Sequence, residues 1–168
     1  QTTSTKIIYV GALGIKSTYI EVFAKWVNQQ KGAYYFDIFS DNIDKEVMEM
    51  IAALKSPFIS IKQPINYFDL PSILANYDIG VVLYNGISPN HIFSIPNKVF
   101  EYLVCGLDVW YSKDLISTAK FQQDNKIENL KAVCFKDPVI MEENKINQVP
   151  FYYSFSCEAI YTEILNDL

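Results

Sequence analysis

No arginine stands anywhere in the 168 residues; all fourteen basic side chains are lysine, and the net charge is −5. Proteins that hold duplex nucleic acid usually carry a basic face, so the composition argues against that class of partner. Any phosphate bound by this chain must rely on lysine and backbone N–H groups. Histidine is nearly absent too. His91 stands alone, too few for a histidine-based metal site. The three cysteines, Cys105, Cys134 and Cys157, show no C-x-x-C spacing, which argues against zinc and against a disulfide framework. Reduced, buried thiols of a cytosolic protein are the plain reading. No apolar run reaches the length of a membrane span, and no signal-peptide pattern occurs. Internal repeats, low-complexity linkers and the G-x-G-x-x-G fingerprint of dinucleotide sites are also missing. What is present is a chain that is 50% hydrophobic, which excludes disorder. Its length suits one domain with a real core. It starts at Gln1 and reaches a strand almost at once, so it is expected to be a piece of a longer protein.

Taken in order, the chain alternates strand and helix signals. Lys6–Val10 is a nearly all-apolar run of β-formers, as in a strand buried on both faces. Gly11–Gly14 punctuates a turn. Thr18 and Glu21 have capping-box spacing, and Ile20, Phe23, Ala24 and Val27 follow at i, i+3, i+4, i+7, predicting a helix to about Gln30. Ala33–Phe39 reads as a second strand. Asp44 is placed to cap a helix through Val47, Met48, Ile51 and Leu54. Phe58–Ile61 is a third strand. Asp69 caps a short helix with Pro71 near its start, ending near Asn76. Ile79–Tyr84 is a fourth strand and Val109–Tyr111 a fifth. Ser117–Leu130 is polar, either a helix or an irregular segment. Ala132–Phe135 is a last strand, Asp137–Pro150 is loop-like, and Ser156 caps a closing helix to Leu168. Such alternation predicts an α/β fold: a Rossmann-like doubly wound parallel sheet of five or six strands, with helices on both faces.

Ligands of open parallel sheets bind beyond the carboxyl ends of the strands. Two connections leave strand ends there, Gly11–Ser17 and Asn85–Ile95. The second is long for a loop in a compact domain and carries Gly86, Pro89, Asn90, His91 and Ser94. It feeds the stretch from Pro96 to Gly106, a short helix with Pro96 in its first turn and Gly106 as the residue that stops it. Val99 with Leu103, and Phe100 with Val104, form its apolar face. Phe100 and Tyr102 read as core. The charges are unusual. A helix N-terminus favours acids, yet the first turn here holds Lys98, with Glu101 one turn inside. A lysine beside free N–H groups has the make-up of an anion site. The same two residues could instead form a solvated pair at i, i+3.

The run Asp78-Ile79-Gly80-Val81-Val82-Leu83-Tyr84, a loop, and then PNKVFEYLVCGLDV resembles the C-terminal half-domain of GT-B glycosyltransferases, of the kind that build bacterial capsules and lipopolysaccharide. More weakly, the resemblance extends from Ile7 to the end of the chain. It implies one half of a GT-B fold that binds a nucleotide-diphospho-sugar. The helix N-terminus, with Asn97 and Lys98, would face the diphosphate, Glu101 the ribose hydroxyls, and Lys16, with Gly11 beside it, the diphosphate from the first loop; Ser94 completes the expected set. A carboxylate accepts from two vicinal hydroxyls at once, which suits Glu101 to a ribose. Many retaining members carry a second glutamate eight positions earlier, facing the sugar; here that position is Phe93, which leaves stereochemistry open. His91 lies close by, Tyr84 could line the pocket, and Tyr67 and Asp69 fall where the family places base-contacting loops. Implied partners are the nucleotide-sugar donor, as a substrate without further cofactor or metal, and an N-terminal acceptor-binding domain not contained in these residues. The implied setting is cytoplasmic polysaccharide biosynthesis, peripheral at the inner face of the membrane, with this chain inactive alone. Two alternatives stay open: half of a nucleotide-sugar epimerase, and a non-catalytic Rossmann-like interaction module.

Overall fold

The computed structural model describes residues 4–136. The loop predicted over Asp137–Pro150, the closing helix capped by Ser156, and Cys157 lie outside the described residues.

Within them, six strands form one sheet in the order β3-β2-β1-β4-β5-β6, every neighbouring pair parallel. They are β1 (Thr5–Val10), β2 (Tyr34–Phe39), β3 (Ile59–Lys62), β4 (Ile79–Val82), β5 (Asp108–Ser112) and β6 (Leu130–Val133). The chain enters at the centre, winds outward through α1 (Ile20–Gln29) and α2 (Lys45–Leu54), then returns through α3 (Leu70–Leu74) to the other side of β1. From there α4 (Pro89–Phe93), α5 (Asn97–Val104) and α6 (Ile116–Asn125) accompany the outward winding to β6. The winding reverses between β1 and β4, and a crevice opens at such a point. The parallel sheet expected from the alternating pattern is therefore what forms.

The sheet is covered on both faces. Ile7 and Tyr9 pack on one side with Phe23, Trp26 and Val27 of α1 and Val47 of α2. Ile8 points to the other, with Leu74 of α3 and Val99, Tyr102 and Leu103 of α5. That is the period-two alternation of a strand with an apolar layer on each side. All four residues of β4 are buried, which is why this strand reads as an unbroken apolar run.

α5 lies against β4 because Gly80 leaves room for it. A Cβ built on Gly80 would overlap the Tyr102 ring. The Tyr102 hydroxyl then accepts a hydrogen bond from the Val10 N–H at 3.0 Å, fixing α5 to the last residue of β1. At its far end the helix stops in a Schellman motif. Gly106, at φ +82, donates to the Leu103 carbonyl, and Leu107 donates to that of Tyr102, both at 3.0 Å.

Several local expectations give way to tertiary contacts. Thr18 does not cap α1. It is buried, donates to the Gly14 carbonyl at 2.7 Å and bridges to Tyr84. The Asp44 carboxylate accepts from the Ile15 N–H at 3.0 Å rather than from its own helix. Asp69 makes no side-chain cap to α3, because a 3-10 turn over Tyr67–Asp69 precedes it and Asn66 caps that turn. The buried face of α5 is Lys98, Val99, Tyr102 and Leu103; Val104 is exposed and Phe100 half-buried against Phe121. Met48 is exposed, and the last strand begins two residues earlier than expected.

Candidate functional site

The site is built from three chain segments that end at the crevice between β1 and β4. The first is the turn after β1. Tyr9 donates its hydroxyl to the Ala12 carbonyl at 2.6 Å, and Gly11 donates its N–H to Phe39 at the end of β2, at 3.0 Å. Gly11 has φ +117, a conformation that a side chain strains. A Cβ there would also come within 3.2 Å of the Lys98 Nζ.

The second segment runs on from β4. The stretch 85–95, read from sequence as a long loop, folds in its middle into α4, because Ser88 caps it: its Oγ accepts from the His91 N–H at 3.2 Å. Pro89 suits the first turn of that helix. α4 lays the His91 ring on Tyr84, centroids 4.4 Å apart and planes 14° from parallel. The His91 Nδ1 is buried and has no hydrogen-bond partner among the described residues.

The third segment is the start of α5. Pro96 is its N-cap, extended at ψ 138, one residue earlier than the helical position expected for it. Proline has no side-chain oxygen, so no side chain caps the first turn. Its N–H groups are the ones a helix leaves without internal partners.

These segments surround a cleft of about 490 Å³. Gly11, Ser94, Asn97, Lys98 and Glu101 line it, together with Tyr84, Asn90, His91 and Tyr67. Lys16 does not belong to the lining. It is exposed, and its carbonyl accepts from the Asn85 side chain at 2.7 Å, so it ties the two loops together by backbone. Phe93 is also outside the lining and 65% exposed.

Lys98 has the most unusual environment. It is 9% exposed, and its ammonium lies over two ring faces, 4.3 Å from the Tyr9 centroid and 4.9 Å from that of Tyr84. Rings offer their negative faces to a cation. No described carboxylate comes within ion-pair distance of it. Burial pulls its amine down to about 8, with Glu101 opposing the shift. The solvated Lys98–Glu101 pair is therefore not what forms. Glu101 is half-buried at the cleft wall, and burial pushes its carboxyl up against the opposing pull of Lys98. Burial likewise raises Tyr9, Tyr84 and Tyr102.

Tyr9 is the contributor that sequence reading missed. On a strand buried on both faces, every residue reads as core, and nothing local marks the one whose ring lies under the Lys98 ammonium. The clustering of Lys98 with Tyr9 and Tyr84 joins residues far apart in sequence. Chemically, the arrangement offers one buried cation, a row of helix-terminal donors and one carboxylate, which suits an anionic ligand that also bears hydroxyls. Among the described residues, no group of histidine, cysteine, aspartate and glutamate is placed to hold a metal, and no helix is long and apolar enough to cross a membrane.

No protein-family model matches the sequence, and no curated protein matches it. Solved structures do resemble the fold. The glycosyltransferase GlyE of Streptococcus pneumoniae TIGR4 superposes over 82% of this chain with a TM-score of 0.51 and 15% sequence identity. Its apo form aligns over 80% with a TM-score of 0.48 and 14% identity. This chain spans 31% of the length of the first and 30% of the second. The shared feature is the fold: an α/β, Rossmann-like architecture like part of a glycosyltransferase.

Proposed function

We propose that this domain holds the nucleotide-diphospho-sugar donor of a glycosyltransferase. The diphosphate lies against Lys98 and the first turn of α5, beside Gly11, and the ribose hydroxyls meet Glu101. Asn97 and Ser94 flank the phosphates. The observation that carries this reading is Lys98: a buried cation with no ion-paired carboxylate among the described residues, at an uncapped helix N-terminus, in the crevice where the strand order reverses. The likeness of fold to a glycosyltransferase and the resemblance of the PNKVFEYLVCGLDV run both support it.

In such an enzyme the lysine and the helix donors stabilise the departing diphosphate, an electrostatic role that needs no proton transfer from this half. The acceptor, and any base acting on it, come from a second domain across the cleft. The proposed setting is bacterial polysaccharide synthesis at the cytoplasmic side of the membrane.

Calorimetric titration with uridine, guanosine, adenosine and their diphosphates tests the reading and identifies the base. One nucleoside diphosphate is expected to bind, more tightly than its nucleoside. Glu101→Ala removes a charge-assisted contact worth roughly 1.5–3 kcal/mol, so affinity should fall about ten- to a hundredfold. Lys98→Met should weaken the diphosphate far more than the nucleoside. Absence of any binding at millimolar nucleotide overturns the donor reading and leaves the interaction module in its place.

A further inference from the structure

A lysine that bound phosphate merely as a surface charge would be solvated and fully protonated at all ordinary pH. Lys98 is different: the residue is almost wholly buried, only its end reaches the cleft, and no carboxylate among the described residues lies within ion-pair distance of it. Its stem is buried, and among the described residues its ammonium rests against the faces of Tyr9 and Tyr84. Tyr84 is itself backed by His91. Gly11, with no side chain, leaves the ammonium open toward the turn after β1. Two rings compensate a buried charge less well than a carboxylate or phosphate does.

Resting on the donor reading above, we propose that Lys98 is a proton-linked receptor: it takes up a proton as the ligand's anionic group arrives, so affinity for the anion falls as the solution becomes alkaline. The site would then discriminate by charge state as well as by shape.

The sign follows from the environment. In the free protein, burial brings the amine to about 8. A bound diphosphate supplies the missing counter-charge and moves it upward again. Below about pH 8 the lysine is charged whether or not ligand is bound, and affinity is at its full value. Above that, binding must first protonate the amine. Affinity then drops by up to about tenfold per pH unit until the bound-state value is reached. Among the described residues, the other titratable groups around Lys98 are Tyr9 on β1, Tyr84 after β4 and Glu101 on α5, with Tyr102 beside Glu101 and His91 of α4 behind Tyr84. The three tyrosines are all held above their ordinary value, so they stay neutral through this window.

The test has two arms. The first observes the ligand-free protein by carbon-13 NMR of the lysine ε-methylenes from pH 6.5 to 10. One lysine, assigned by its loss in Lys98→Met, should titrate near pH 8 while the others titrate near their ordinary value. If Lys98 titrates with the rest, the proposal is overturned, whatever binds. The second arm titrates the protein calorimetrically with uridine diphosphate and guanosine diphosphate between pH 7.5 and 9. There the terminal phosphate, with a second pKa of about 6, no longer titrates. Two buffers of different ionisation enthalpy give the proton count. Wild type should take up about half a proton or more per ligand at pH 8.5 and lose affinity over the range. Lys98→Arg keeps the charge but cannot lose it, so it should bind with no proton uptake from this residue and a flat profile. Binding by wild type with neither uptake nor pH dependence overturns the proposal and leaves the donor reading standing. Absence of nucleotide binding overturns both.

Discussion

Lys98 in the first turn of α5 and Glu101 one turn on could be seen in the sequence, but their states could not. A lysine at i and a glutamate at i+3 look like a surface pair. Only the packing of Tyr9 and Tyr84 around the ammonium turns the lysine into a buried cation with no ion pair among the described residues. That burial has a cost in the folded protein, and the cost depends on pH. The folded-state amine lies at about 8, below its ordinary value, so the unfolded chain binds more protons between the two. Stability should therefore rise with pH through this window as the buried charge is lost. Lys98→Met removes the effect. Urea unfolding of both proteins at pH 7 and pH 10 should show wild type gaining on the variant by at most about 3 kcal/mol. An unchanged difference would mean that Lys98 stays hydrated. Nucleotide titration of Glu101→Ala belongs to the same scale, because it separates a ribose ligand from a mere neighbour of Lys98.

At the scale of the element, α5 is positioned by two glycines with different physical roles. Gly80 on β4 makes space, and Gly106 makes a turn. Alanine at Gly106 meets no neighbour within 4 Å, so it should lose only the cost of a left-handed residue, about 1–2 kcal/mol. Alanine at Gly80 drives into the Tyr102 ring and should lose more, about 3 kcal/mol, the upper end of overpacking. It should also displace α5 and weaken nucleotide binding, whereas Gly106→Ala should not. Denaturant midpoints that rank the two the other way would refute this account of how α5 is seated. Tyr102→Phe tests the tie between α5 and β1. It strips the acceptor from the Val10 N–H and should cost roughly 1–3 kcal/mol. A neutral result would show that water replaces the hydroxyl. The stop at Gly106 was legible from sequence because left-handed backbone is a local property. The space beside Gly80 was not, since it depends on a helix some twenty residues further on.

For the whole molecule, the cleft lies at the carboxyl edge of the sheet, between the turn after β1, α4 and the start of α5. Lys98, Glu101 and the start of α5 form one wall, with the turn after β1 beside them. Under the donor reading, this chain supplies the anion site and no acceptor site. A product assay with the 168-residue chain, a donor that binds it and a range of glycan acceptors should therefore show no sugar transfer. Transfer by this chain alone would mean that the acceptor site is contained in it after all.

The sequence by itself determined the fold class, the strand and helix sequence over most of the described residues, and the segment on which the site is built. Alternation of short apolar runs with helical periodicity admits little but a parallel sheet covered on both faces, and glycine and proline mark helix ends through their own backbone preferences. What the tertiary structure alone decided was everything that depends on contacts between distant segments. Thr18 and Asp44 left their expected caps because backbone groups across the loops offered partners. The stretch 85–95 acquired α4, whose five residues are too few to signal a helix by periodicity. Lys16 matched the family pattern in position along the chain, yet its loop is bound to Asn85 and the side chain lies outside the cleft. Tyr9 entered the site because β1 ends beside α5 at the reversal of strand order. Propensity and periodicity are local quantities, while burial and electrostatic environment are sums over neighbours that the linear chain does not reveal.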